Sequence, residues 1–123
     1  MTSNAPPQHV NVPLIHSVVK FYKKVYLLKS KISKRDEFGI YLRIEITCLE
    51  LLAQITQATF ETKLNKTVVL NKARIHAELL KQLFRITGDL NIIPAFKYIE
   101  FESDLQEISK MINGWIKYLT TAQ

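Results

Sequence analysis

Leu14, Val18, Phe21, Val25, Leu28 and Ile32 recur at alternating steps of four and three, the spacing of one buried seam on an α-helix. Beside that seam run Ile15, Val19, Tyr22 and Tyr26. The apolar arc of this first segment therefore spans about half the helix circumference, wider than one neighbour requires. A second segment, 36–61, shows one polar line, Arg43, Thr47, Glu50, Gln54, Gln57 and Glu61, and is apolar nearly everywhere else. The third, 66–88, is expected to bury Val68, Ile75, Leu79, Leu83 and Ile86 and to end at a Gly88-Asp89 cap. The fourth, 95–120, carries Tyr98, Phe101, Leu105, Ile108, Ile112, Trp115 and Leu119 as an unbroken seam, after Pro94 has blocked any continuation from the third. The pattern predicts an all-α, up-down-up-down four-helix bundle over 13–121, its first helix spanning 13–33, after a polar, disordered leader at 1–12.

Three residues sit uneasily in this pattern. Glu45 falls opposite the polar line, between Tyr41, Leu42, Leu49 and Leu52, where an unpaired carboxylate is expensive, so it is expected to be buried against a basic partner. His76 lies on the apolar side of the third helix near Val69, Leu79 and Leu80 and reads as a buried, hydrogen-bonded histidine. Gly114 interrupts a helix interior at a cost of about 1 kcal/mol relative to alanine. It stands beside Met111 and Tyr118 on the flank of the seam, where a missing side chain would admit another backbone. Met111, Gly114 and Tyr118, together with Ile15, Val19, Tyr22 and Tyr26, mark an expected oligomer interface.

Charge follows the segments. Residues 1–35 hold seven basic and no acidic side chains, 36–61 one against five, 62–88 six against one, and 89–123 three against five. Lys20, Lys23, Lys24, Lys31, Lys34 and Arg35 on the first segment, with Arg74, Lys81 and Arg85 on the third, form two basic stripes suited to phosphates. Those stripes carry few interleaved aromatics, so stacking on bases is expected to be minor.

The chemistry that would indicate an enzyme does not assemble. His9, His16 and His76 are scattered, Cys48 is the single cysteine and reads as core, and Gly39, Gly88 and Gly114 are isolated, without a phosphate-cradling motif. No catalytic residue, metal or cofactor is expected. Nothing in the sequence reads as a signal peptide or membrane span, so a cytoplasmic location is expected.

The basic first helix, ISKRDEFGIYLRIEITCLELL at Ile32–Leu52, KARIHAELLKQLFRI at Lys72–Ile86 and EISKMINGWIKYL at Glu107–Leu119 resemble the accessory variability determinant (Avd) family. These are the four-helix-bundle accessory proteins of diversity-generating retroelements. The resemblance spans about Pro13 to Leu119, and its most specific pieces are Arg43-Ile44-Glu45 and Gly114-Trp115-Ile116 in their order and spacing. It implies a non-catalytic homopentamer that binds the reverse transcriptase and RNA and DNA without strong sequence specificity during mutagenic cDNA synthesis. Small bundles encoded in ribosomal RNA intervening sequences, with a general RNA-binding role, share part of the resemblance. The Arg-to-His helical spacing of HEPN-type ribonucleases does not occur. Light scattering at micromolar concentrations is expected to give a multiple of the 14.3 kDa chain mass; a monomer mass throughout would exclude self-association.

Overall fold

The computed structural model describes residues 8–121, with side chains from residue 13 onward. Four long helices form the body: α1 (Gln8–Leu28), α3 (Ile40–Phe60), α4 (Lys63–Asp89) and α5 (Ala95–Thr121). A 3-10 turn, Lys29–Lys31, and a single-turn helix, α2 (Lys34–Glu37), connect α1 to α3. The first helix thus starts before the expected position 13, with Pro13 inside it, and ends at Leu28 rather than 33. The leader's residues 1–7 lie outside the described residues.

The bend after α1 has local causes. Ser33 accepts a hydrogen bond from the backbone amide of Asp36 and so caps α2. A Cβ on Gly39 would meet the Arg35 carbonyl oxygen at 3.0 Å, so a larger residue where the chain turns into α3 would press on that backbone.

Neighbouring helices run antiparallel, and the contacts show it. The Tyr41 hydroxyl at the start of α3 donates to the Val25 carbonyl near the end of α1. The Lys66 ammonium at the start of α4 donates to the Ala58 and Thr59 carbonyls at the end of α3, at 2.8 and 3.2 Å. Lys24, late in α1, meets Glu100 and Asp104, early in α5. Around the bundle the order is α1, α3, α4, α5, so α1 and α4 stand on one diagonal. They meet across the core through Phe21 and Phe84, whose ring centroids are 5.8 Å apart, with Phe101 of α5 at 5.6 and 4.8 Å from the two. Edge-on and tilted contacts of this kind contribute about 0.5–1.5 kcal/mol each beyond the buried area.

The seams of the first and fourth segments are buried as the spacing requires, including Trp115 at full burial, except that Tyr98 at the start of the fourth is only half-buried. The third helix is rotated from expectation. Val68, Ile75 and Ile86 are exposed, Ile75 by 63%, and the core face is Val69, Leu70, Ala73, Ala77, Leu80 and Phe84. Two alanines on that face let α4 approach its neighbours closely, while the larger Phe84 fills the centre. Nor does α4 stop at Gly88: it runs to Asp89, and Asn91, with φ of 55°, takes the left-handed position while the Ile92 amide reaches back to the Thr87 carbonyl at 2.8 Å.

Burial holds the Tyr41 hydroxyl above its ordinary 10.0 and pushes the Cys48 thiol from 9.0 up to about 12. The unfolded chain releases both protons first, so the stability these groups contribute is complete below pH 9 and is lost progressively as pH rises past their unfolded values. Urea midpoints measured at about pH 8 and pH 11 are expected to fall, and to fall less in Tyr41→Phe and Cys48→Ala than in the parent. Equal falls in all three proteins would place the alkaline loss elsewhere.

Candidate nucleic-acid interface

The diagonal arrangement separates the two basic stripes. Lys20, Lys23, Lys31, Lys34 and Arg35 belong to α1 and the bend that follows it, whereas Arg74, Lys81 and Arg85 project from α4 on the far side of the core. One face of one bundle does not present both sets. Every basic long helix is also flanked by the two acid-bearing ones, α3 and α5, so part of the positive charge is consumed internally.

Lys24 is the main correction. Its ammonium sits 2.7 Å from Glu100 and 2.9 Å from Asp104, a clamp between α1 and α5 that leaves it no free role toward phosphate. The hydrogen bond to Glu100 raises the Lys24 pKa against the opposing effect of burial, and the same contact lowers that of Glu100. Lys81 pairs with Glu78 at 2.8 Å. Arg85 stands near Tyr98, whose hydroxyl donates to Glu102 at 2.7 Å; that bond raises the Tyr98 pKa and the Arg85 charge opposes the rise. Lys20, Lys23, Lys31 and Lys34 are exposed, with no ion pair among the described residues, and Arg35 reaches Asp36 only at 3.5 Å while its side chain is 89% exposed. Lys31 and Arg35 line a cleft of about 590 Å³ where the bend meets Leu90–Ile92. Arg74 on α4 is also exposed and without an ion pair among the described residues, so free positive charge remains on α4 as well, while the larger free set of the predicted cations lies on α1 and the bend after it.

The expected oligomer interface splits in two. At about 100° per residue, Ile15, Val19, Tyr22 and Tyr26 lie about 140–180° around α1 from Lys24, and hence away from α5. Ile15 and Tyr22 are already packed against the core. This stripe continues onto α3, where Leu42, Ile46 and Leu49 are each exposed by 40–45%. Met111, Gly114 and Tyr118 lie on the other side, within about 80° of Asp104 around α5. A Cβ on Gly114 would meet nothing within 4 Å, so the bundle itself does not require glycine there.

Glu45 is 5% exposed. One carboxylate oxygen lies 3.4 Å from the Lys29 ammonium; the other has no hydrogen-bond partner. His76 is half-buried rather than buried: its Nδ1 lies 2.9 Å from Gln54 Oε1 and 3.1 Å from the Lys72 carbonyl, and its Nε2 is 3.6 Å from Glu50. The periodicity missed Lys66, which is 2% exposed and has its pKa lowered by burial, with the Glu61 charge opposing the shift. A lysine in the first turn of a helix carries no sequence mark of folding back on the preceding helix end.

The described residues contain no cluster of three or more His, Cys, Asp or Glu able to hold a metal, and no helix long and apolar enough to cross a membrane. Geometry and charge define a small antiparallel four-helix bundle with exposed cations, most of the unpaired predicted ones on α1 and the bend after it, and surplus apolar surface. A family model described as bAvd-like matches residues 14–119, and the chain belongs to that family. The resemblance read from the sequence is confirmed over nearly the span it was assigned. In the solved structures, the chain is similar to a Bacteroides thetaiotaomicron VPI-5482 protein of unknown function from the S23 ribosomal protein family. The TM-score is 0.80 at 18% identity, covering 88% of this chain and 98% of that one. That likeness shows the fold. No curated protein matches the chain.

Glu45 also generates a stability test. Lys29 is partly exposed, so removing the carboxylate strands no buried cation, while the carboxylate itself buries an unsatisfied oxygen at a cost of about 1–3 kcal/mol. Glu45→Met is expected to leave stability unchanged or raise it, read as the urea midpoint. A loss of about 3 kcal/mol or more would show that the Lys29 pair outweighs the burial.

Proposed function

We propose that this chain is a non-catalytic accessory protein of a diversity-generating retroelement, binding nucleic acid and the reverse transcriptase in support of mutagenic cDNA synthesis. Membership of the bAvd-like family supports the accessory role, since Avd-like accessory proteins are in general non-catalytic. The observation that carries the nucleic-acid part is the set of exposed cations Lys20, Lys23, Lys31, Lys34 and Arg35, the four lysines without an ion pair among the described residues, on a stretch with no acidic side chain up to residue 35. Long, hydrated cations of this kind contact phosphate and read no sequence.

Assembly is the second part of the reading. Ile15, Val19, Leu42, Ile46 and Leu49 form one apolar face, and Met111, Gly114 and Tyr118 another on a different side of the bundle. Two unlike faces suit the head-to-tail contacts of a closed ring rather than the self-complementary contact of a two-fold dimer. Five as the subunit number rests on the family resemblance. A ring would repeat the basic face of α1 around its axis and so multiply the phosphate contacts per assembly.

The combined charge reversal Lys20→Glu, Lys23→Glu and Lys31→Glu is expected to weaken RNA and DNA binding alike, measured by fluorescence anisotropy. The slope of log affinity against log salt should shrink by about 0.7–0.9 for each phosphate contact removed. Helical circular dichroism should stay at the parent value. Parent affinity that does not change between about 50 and 200 mM salt would overturn the phosphate reading.

A further inference from the structure

We infer that the outer surface of α1 takes single-stranded nucleic acid, with Tyr26 stacking on a base and Lys20, Lys23 and Lys31 holding the flanking phosphates. The inference rests on the nucleic-acid reading above and narrows it to one class of strand. It also reverses the expectation that stacking is minor, because the structure leaves Tyr26 55% exposed instead of folding it into the apolar arc.

Tyr26 does not stand alone. The Tyr22 ring, one turn earlier, has its centroid 6.4 Å away at a tilt of 42°. These two rings, with Lys23 and the 72%-exposed Leu27, line a shallow cleft of about 420 Å³ whose walls are almost wholly apolar. The Lys29 ammonium lies 5.6 Å from the centre of the Tyr26 ring. Lys23 stands about 60° around α1 from Tyr26 and less than one turn before it, and Lys31 follows in the 3-10 turn after the helix, so along the chain cations lie before and after the stacked base.

Charge decides between the two occupants such a surface admits. Covering it with a second protein would desolvate Lys20, Lys23 and Lys31, which have no ion-pair partner among the described residues, and charged side chains are depleted from the centres of protein interfaces. A nucleic-acid strand supplies a counter-charge with every nucleotide and a planar apolar face with every base. A duplex supplies the charge but hides the base faces in its stack, so Tyr26 gains nothing from it.

The test uses the full chain and fluorescein-labelled oligo-dT and oligo-U of about 20 nucleotides, with a duplex of equal length as comparison. Tyr26→Ala is expected to lower affinity for both single strands by about fivefold or more and to leave the duplex within about twofold. Tyr26→Phe, which keeps the ring, should retain parent affinity. If Tyr26→Ala binds single strands as the parent does while Lys20→Gln, Lys23→Gln and Lys31→Gln together weaken binding, the stacking role is wrong and the phosphate reading stands. If the parent binds none of the three probes, both fail. If Tyr26→Ala lowers the assembly mass in light scattering and weakens single strands and duplex equally, the residue belongs to a subunit contact and the inference is overturned.

Discussion

Phe21, Phe84 and Phe101 meet at the centre of the bundle and fix which helices are diagonal and which are adjacent. With α1 and α4 joined through this cluster, each basic helix has acid-bearing neighbours on both sides. That arrangement relieves repulsion between the two most positive segments and gives Lys24 its two carboxylates. It also separates the cations that must balance internal acids from those left to act outward. The free basic surface is thus a consequence of core packing as much as of composition.

Regular seams were readable wherever bulky apolar residues alone defined them. The seams from Leu14 to Leu28 on α1, with Ile32 just past the turn that follows it, and from Phe101 to Leu119 on α5 are buried at the positions their spacing named. The α4 face was misread because its two central positions, Ala73 and Ala77, contribute closeness rather than bulk, and alanine carries little weight in a hydrophobic pattern. Larger residues one step around the helix, Val68, Ile75 and Ile86, drew the reading to the wrong side. The same difficulty applies to the end of α4, where Asn91 rather than a glycine adopts the left-handed conformation.

For the candidate site, the sequence disclosed which residues carry charge but not which are free. Lys20 and Lys24 are one turn apart and chemically identical, yet one is exposed and unpaired while the other spans two helices. That distinction depends on the rotation of α5 against α1, a tertiary property no local spacing encodes. The expected assembly face was split by the same geometry, since residues on two helices can share a flank in a wheel diagram and still open on different grooves. Glu45 is the exception: its position opposite a polar line was sufficient to mark a buried carboxylate.

Trp115 is the single tryptophan, has no exposed surface, and its indole nitrogen makes no hydrogen bond. An indole in such a dry, apolar setting has a high-energy emission band, and a ligand lying on the outside of α1 cannot touch it. Its fluorescence therefore ignores surface occupancy and responds only to a rearrangement of the core. Any spectral change on adding a partner would mean that binding reaches the packing of the helices themselves, which gives this protein a built-in optical distinction between docking and remodelling.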